Sequence, residues 1–90
     1  MPFFVYMVRC VDGTLYTGWT TDPKKRLARH NAGIGARYTR SRRPVTLAYC
    51  EECATQGEAM SRERRIKKMK REAKQLLIDQ EDAPSRTDEN

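Results

Sequence analysis

Two strand-like runs joined by a short turn constrain the fold more than any other feature of this sequence. Residues 4–10 and 15–20 are rich in Phe, Val, Tyr, Thr and Trp, the residue types that favour β-strands. Val11-Asp12-Gly13, between them, contains an Asp-Gly pair, which is typical of a hairpin turn. The sequence therefore predicts an antiparallel β-hairpin over residues 4–20.

The register of this hairpin decides on which faces two tyrosines lie. A two-residue loop would place Tyr6 opposite Trp19 and would put Tyr16 on the other face of the sheet. A three-residue loop with Gly13 in the left-handed conformation would place Tyr6 opposite Gly18, with both hydroxyls on one face. Two tyrosines on a sheet face can simply fill a core. We predict the three-residue loop, in which the small Gly18 leaves space beside the hydroxyls.

Charge narrows the range of functions. The 90 residues fit one domain, whose end we place at residue 79. Residues 1–78 contain 17 basic and 7 acidic side chains, a net charge of +10, whereas residues 80–90 form an acidic, polar tail that we expect to be disordered. Positive charge concentrates polyanions, and nucleic acid is the commonest large polyanion in a cell. The composition therefore favours a nucleic-acid partner over an anionic membrane.

The sequence also contains indications of cellular location. Arg9 and Asp12 interrupt the apolar run near the N-terminus, so we expect no signal peptide. No apolar run reaches the length of a membrane span. The three cysteines are an odd number, which favours reduced, buried thiols. We therefore expect a cytoplasmic protein without a membrane partner.

A helix, a polar loop and a third strand are predicted after the hairpin. Asp22-Pro23 is a helix start, since Asp caps free amides and Pro suits the first turn, and Gly33 is a helix end. Residues 33–44 form a polar loop with four arginines and one tyrosine, a composition that suits phosphate contact and base stacking. Residues 45–52 are expected to form the third strand.

The remaining residues predict one long helix. Thr55-Gln-Gly-Glu58 is a capping-box pattern, and the helix should run from there to about residue 79. Glu63 lies just outside the apolar arc of the helical wheel, where a carboxylate can be half-buried and still reach a cleft. The alternative interpretation of Glu63 is a surface ion pair with Lys67, four residues later. The arc itself consists of Ala59, Ile66, Met69, Ala73, Leu76 and Leu77.

Motifs spread along most of the chain occur in the order found in one known family. Phe4-Val5-Tyr6 and Tyr16-Thr17-Gly18 are followed by Arg26 and His30 on the first predicted helix and by Glu63 on the last. Together they resemble the GIY-YIG nuclease superfamily. The segments DGTLYTGWT, RLARHNAG, YTRSRRPV and EAMSRERRIKK are similar to a branch of short, stand-alone proteins within it. FVY replaces GIY and YTG replaces YIG, but both tyrosine hydroxyls remain.

The resemblance implies a fold, an activity and a set of site residues. The fold would be a small α/β structure with a central three-stranded antiparallel sheet flanked by helices. The activity would be metal-dependent endonucleolytic hydrolysis of DNA phosphodiester bonds, in repair or recombination. Glu63 would be the single carboxylate on one Mg²⁺ or Mn²⁺ ion, with waters and phosphate oxygens as the other ligands. Position by position, the implied catalytic residues are Tyr6, Tyr16, Arg26, His30 and Glu63.

Elementary chemistry agrees with these roles. Phosphodiester hydrolysis needs a positioned water, a proton acceptor and positive charge on the developing phosphorane. Arg26 would supply a guanidinium fork for the scissile phosphate. A free tyrosine has a pKa of about 10, so Tyr16 could accept the proton only with help from neighbouring cations. Tyr6 or His30 would be its partner in the proton relay, and the sequence leaves open which of the three groups deprotonates the water.

Two other functions fit the same residues. The chain could be a nucleic-acid-binding module with little or no catalysis, or a catalytic subunit that needs a protein partner. All three functions require contact between basic or aromatic side chains and nucleic acid. The residues predicted to make that contact are Lys24, Lys25, Arg29, Arg37, Tyr38, Arg40, Arg42, Arg43 and Lys67.

Overall fold

The computed structural model describes residues 2–82, with side chains described as far as residue 80. Its three strands form one antiparallel sheet in the order β2-β1-β3, and helices flank the sheet, as the sequence predicts. The elements are β1 (Phe3–Arg9), β2 (Leu15–Thr20), α1 (Pro23–Asn31), α2 (Arg37–Arg40), β3 (Thr46–Cys53), α3 (Gln56–Lys67) and α4 (Arg71–Asp82).

The hairpin between β1 and β2 has the predicted three-residue loop. The amide of Cys10 donates to the carbonyl of Thr14 at 2.8 Å, which closes the loop over residues 11–13. Gly13 has a φ of 87°, the left-handed conformation that residues with a Cβ rarely adopt. Tyr6 therefore lies opposite Gly18, and the predicted register is confirmed.

The two faces of the sheet pack two separate cores. Because side chains alternate along a strand, neighbouring residues of β1 contribute to opposite faces. We call the first the helix-side core; it consists of Val5, Met7, Tyr49, Cys53, Ala59, Ile66 and Ile78. We call the second the tyrosine-side core; it consists of Tyr6, Val8, Cys10 and Val45, with Tyr16 and Leu27 packed against it.

Both predicted helix starts are capped as the sequence indicates. The side chain of Asp22 accepts a hydrogen bond from the amide of Lys25 at 3.1 Å, and Pro23 occupies the first turn of α1. Thr55 accepts from the amide of Glu58 at 3.1 Å, and Glu58 in return accepts from the amide of Ala54 at 3.0 Å. Such caps satisfy amides that have no partner inside the helix.

The prediction of one long helix to residue 79 is wrong, because α3 ends at Lys67 and α4 begins at Arg71. The amide of Met69 bonds to the carbonyl of Ile66 at 3.0 Å, three residues back, so the last turn is tightened and the helix does not continue. The break resets the phase of the apolar arc. Leu76, predicted to be buried, is 60% exposed, and Ile78 occupies the buried position instead.

The predicted loop over residues 33–44 is also partly wrong, since it contains the short helix α2 and the fully buried Thr39. Towards the C-terminus, α4 continues past residue 79 to Asp82, and we propose that the domain includes all of α4. The rest of the predicted tail, residues 83–90, lies outside the described residues. None of the helices in residues 2–82 combines the length and apolarity that crossing a membrane requires.

Candidate active site

The hairpin register places the two motif tyrosines on one face of the sheet. Tyr6 pairs with Gly18, and Val8 pairs with Tyr16, so both tyrosine side chains belong to the tyrosine-side core. A Cβ at position 18 would lie 2.6 Å from the hydroxyl oxygen of Tyr6, closer than real atoms pack. The glycine of the second tripeptide therefore makes room for the tyrosine of the first.

A buried chain of hydrogen bonds runs from Tyr6 through His30 to α2. The hydroxyl of Tyr6 lies 2.9 Å from Nε2 of His30, and Nδ1 of His30 lies 2.8 Å from Oγ1 of Thr39. Thr39 donates its single hydroxyl proton to the carbonyl of Ala36 at 3.2 Å. His30 Nδ1 must therefore donate to Thr39, which leaves Nε2 to accept the proton of Tyr6. The donor order of the whole chain is fixed by one backbone carbonyl.

Burial keeps the groups of this chain uncharged. It raises the pKa of Tyr6 to about 12, and the neighbouring Tyr16 acts in the same direction. Burial also lowers the pKa of His30, and the positive charge of Arg26 lowers it further. At neutral pH Tyr6 is a phenol and His30 is a neutral imidazole, as the hydrogen-bond order requires.

Two opposite charges from different helices act on Tyr6. Beyond the effect of burial, Arg26 on α1 lowers the pKa of Tyr6, and the carboxylate of Glu63 on α3 raises it. The side chain of Glu63 is 18% exposed, and its Oε2 lies 3.2 Å from Nζ of Lys67. That ammonium lies 6.0 Å from the ring centre of Tyr16. The structure thus brings the predicted catalytic residues into one neighbourhood, and it also contains the Glu63–Lys67 ion pair of the alternative interpretation.

Tyr38 and Arg42 extend the site through an aromatic stack. The ring of Tyr38 stacks on that of Tyr16 at a centroid distance of 5.8 Å, and the guanidinium carbon of Arg42 lies 3.9 Å from the centre of the Tyr38 ring. Arg42 also donates to the carbonyl of Tyr38 at 2.7 Å and to the carboxylate of Asp12 at 3.1 Å. The contact with Asp12 ties the segment after α2 to the hairpin turn.

The residues predicted to contact nucleic acid differ in how freely they present their charge. Lys24, Lys25, Arg29, Arg37 and Arg40 are all exposed. Lys25 and Arg29 line a shallow pocket beside Arg26, near the start of α1. In contrast, the guanidinium groups of Arg42 and Arg43 donate to backbone carbonyls of their own surroundings.

Two residues that sequence reasoning did not single out hold His30 in place. Thr39 fixes its tautomer, as described above. A Cβ at Gly35 would lie 2.5 Å from Nδ1 of His30, so only glycine permits this approach of the backbone. Both residues lie in the segment that was predicted to be an exposed loop, and no local spacing distinguishes them from ordinary loop residues.

The site contains a carboxylate, Glu63, that suits a hard cation held by a single protein ligand. Within the described side chains, no group of three or more His, Cys, Asp or Glu residues is placed to hold a metal ion. Mg²⁺ commonly uses one or two carboxylates and keeps several waters or substrate phosphate oxygens as its other ligands. Glu63 is partly exposed and close to Tyr6, so its position fits such an ion.

Comparison with known proteins agrees with this geometry. A family model described as the GIY-YIG catalytic domain matches residues 2–76. The chain belongs to the GIY-YIG catalytic domain family, a nuclease family. Among its relatives, a UPF0213 protein of Halobacterium salinarum is 55% identical over 74 residues, which are 82% of this chain and 96% of that protein. A UPF0213 protein of Staphylococcus haemolyticus is 49% identical over 77 residues, 86% of this chain and 94% of that protein.

Two solved structures have the same fold. The solution NMR structure of a UPF0213 protein from Bacillus halodurans matches with a TM-score of 0.60 and 38% identity, over 93% of this chain and 89% of that one. The solution NMR structure of a protein from E. faecalis matches with a TM-score of 0.61 and 36% identity, over 89% of this chain and 85% of that one. The expected three-stranded α/β fold is confirmed.

Proposed function

We propose that the protein is a cytoplasmic, divalent-metal-dependent endonuclease that hydrolyses phosphodiester bonds of DNA in repair or recombination. Its family supports nuclease chemistry. The observation in this chain that supports the proposal most is that a cation of α1, Arg26, and a carboxylate of α3, Glu63, both act on Tyr6. Positive charge on the phosphate and a carboxylate that can hold a divalent ion both promote phosphodiester hydrolysis.

We assign the water-facing role to Tyr16. Tyr6 is only 2% exposed and its proton is directed at His30, whereas Tyr16 is half-buried and is the more exposed of the two residues. In this mechanism Tyr16 accepts the proton of the attacking water. Tyr16 must be a phenolate to accept that proton and becomes a neutral phenol when it does, and the ammonium of Lys67, 6.0 Å from the ring centre, stabilises the phenolate.

The remaining site residues would bind the phosphate, hold the metal ion and position Tyr6. Arg26 would hold the scissile phosphate through its guanidinium fork. A divalent ion at Glu63, when bound, supplies Lewis-acid stabilisation of the phosphate oxygens. His30 becomes a positioning residue rather than a catalytic one, because it is 1% exposed and both of its ring nitrogens have partners. Its role is to keep the hydroxyl of Tyr6 fixed beside Tyr16.

Nucleic-acid binding would depend on the exposed cations of α1 and α2. We propose that Lys24, Lys25, Arg29, Arg37 and Arg40 contact phosphates, while Arg42 positions Tyr38. Each phosphate contact adds about 0.7 to 0.9 to the slope of log affinity against log salt. Replacing Arg37 by Ala removes one such contact and should therefore lower that slope by about 0.7 to 0.9. Binding that does not change with salt would contradict any nucleic-acid role.

A binding module without catalysis remains the second candidate, and the Glu63–Lys67 ion pair favours it. A glutamate whose only task is this pair contributes at most about 0.5 kcal/mol to stability and nothing to chemistry. The two candidates differ in what they predict for Glu63→Gln, which keeps the size of the side chain and removes its charge. A catalytic subunit that needs a protein partner would also be inactive alone.

The test is a cleavage assay on labelled single-stranded, duplex and branched DNA and on RNA, with and without Mg²⁺ or Mn²⁺. The nuclease proposal predicts metal-dependent cleavage that Glu63→Gln abolishes, with DNA affinity equal or higher because a negative charge is gone. Glu52→Gln, the same change at an exposed position of β3, is the matched control and should cleave normally. Cleavage by Glu63→Gln at the wild-type rate would overturn the metal assignment. No cleavage by the wild type on any substrate would favour the binding module or the partner-dependent subunit.

A further inference from the structure

The ion pair between Glu63 and Lys67 occupies the carboxylate that the proposed function assigns to the metal. The two residues are one helical turn apart on α3, and their charged atoms are 3.2 Å apart. Their exposures differ, since the side chain of Glu63 is 18% exposed and that of Lys67 is 50% exposed. The carboxylate is therefore sheltered by the fold, while the ammonium can move into solvent.

The position of Lys67 distinguishes this pair from an ordinary pair on a helix surface. Its ammonium lies near the ring of Tyr16 as well as beside Glu63, so one positive charge serves both a carboxylate and an aromatic ring of the site. The same carboxylate acts on Tyr6. Any cation that binds Glu63 must therefore enter a space that already holds a positive charge.

A divalent cation and the ammonium compete for Glu63 in two ways. Binding of the ion at the carboxylate breaks the contact with Lys67. It also places a double positive charge a few ångströms from the ammonium, unless the lysine side chain moves away. At about 5 Å in a water-like dielectric this repulsion alone weakens binding on the order of tenfold.

We propose that Lys67 is a resident counter-ion that competes with the divalent cation for Glu63, so that the free protein binds the metal weakly. The inference rests on the proposed function in one respect, that Glu63 is the metal ligand. Phosphate groups of a bound nucleic acid attract an exposed ammonium. Uptake of the Lys67 ammonium by phosphate would therefore release the carboxylate at the moment when the substrate is in place.

The test measures Mn²⁺ binding by the protein without nucleic acid, through the electron paramagnetic resonance signal of unbound Mn²⁺. Lys67→Met removes the charge and keeps a long side chain. Lys68→Met is the matched control, because it removes one positive charge from the next, also exposed, residue. The inference predicts that Lys67→Met binds Mn²⁺ on the order of tenfold more tightly than the wild type, while Lys68→Met changes the affinity by less than about twofold.

Two results would overturn the inference. One is equal Mn²⁺ affinity, or equally absent binding, in Lys67→Met and Lys68→Met. The other is tight binding that persists in the double variant Lys67→Met with Glu63→Gln, since the ion would then bind elsewhere. These results are separate from the fate of the nuclease proposal, which depends on cleavage. If the wild type cleaves DNA and Glu63→Gln does not, but Lys67→Met leaves the Mn²⁺ affinity unchanged, only the competition is refuted. If Lys67→Met binds Mn²⁺ more tightly but the wild type cleaves no substrate, only the nuclease proposal is refuted.

Discussion

The two faces of the central sheet both contain buried side chains, but different interactions stabilise them. On the helix-side core, Val5 and Met7 are fully buried, and removing their apolar surface from water stabilises the fold. On the opposite face Tyr6, His30 and Thr39 are equally buried, although burial of polar groups is unfavourable unless each one is hydrogen-bonded. The helix-side core can thus tolerate the replacement of one apolar side chain by another of similar size. The opposite face depends on every member of the hydrogen-bond chain.

The largest effect is expected from a cavity in the helix-side core. Ile66 is fully buried on α3. Replacing it by Ala should lower the free energy of unfolding by about 2–5 kcal/mol, measured by urea denaturation. Cleavage per folded molecule should be unchanged below the unfolding transition. If the Ala variant lost cleavage while its free energy of unfolding fell by less than about 1 kcal/mol, the two faces would not be separate in function.

Thr39→Val tests the hydrogen-bond chain of the tyrosine-side face. The substitution leaves the Nδ1–H of His30 buried without its acceptor. An unsatisfied buried donor costs about 1–3 kcal/mol, so urea denaturation should show a loss of that size. Unchanged stability would mean that the chain from Tyr6 to Ala36 does not contribute to the fold.

A smaller effect should appear in the pH dependence of stability. His30 is the only histidine of the sequence, and its pKa in the folded protein is lowered by burial and by Arg26. The unfolded chain therefore binds a proton more readily, and stability should fall as pH decreases below about 6.5, by at most about 1.4 kcal/mol per pH unit. Urea midpoints from about pH 7 to about pH 5.5 would measure this slope. His30→Asn should have a flatter profile, and the same slope in both proteins would contradict the assignment.

The smallest expected effect is an increase in stability. It comes from replacing a threonine by valine on the helix-side face, the same exchange as Thr39→Val on the tyrosine-side face. Thr17 is 2% exposed, and its hydroxyl has no hydrogen-bond partner among the described residues. Thr17→Val replaces this hydroxyl by a methyl group and should raise the free energy of unfolding by roughly 1 kcal/mol. Thermal denaturation of Thr17→Val and Thr39→Val, measured side by side with the wild type, compares the two substitutions directly. Destabilisation by both substitutions would show that the helix-side face also contains a polar network.

Sequence patterns predicted the parts of the structure that local geometry determines. The side-chain alternation of strands and the Asp-Gly turn narrowed the hairpin to two registers, and the predicted one, with Tyr6 opposite Gly18, is confirmed. The capping residues Asp22 and Thr55 were enough to locate two helix starts. The Glu63–Lys67 pair followed from helical spacing alone.

The remaining features depend on contacts between distant residues. The break after α3 is not marked by Gly or Pro, since Lys68 and Met69 are acceptable helix residues, and Ile78 of α4 packs in the helix-side core beyond it. The bond between Thr39 and His30 and the pair between Asp12 and Arg42 each require two elements to be docked first. Burial of a threonine in a polar, arginine-rich segment has no local signature.

The most direct test of the division between the two faces compares one substitution at two buried or half-buried tyrosines. Tyr16 belongs to the proposed site, whereas Tyr49 lies in the helix-side core and donates to Glu51 at 2.6 Å. The measurement is the rate of Mg²⁺-dependent DNA cleavage by Tyr16→Phe and by Tyr49→Phe, both shown to be folded by circular dichroism. We predict that Tyr16→Phe loses cleavage and that Tyr49→Phe retains it with a loss of stability of about 1 kcal/mol. Wild-type cleavage by Tyr16→Phe would contradict the account.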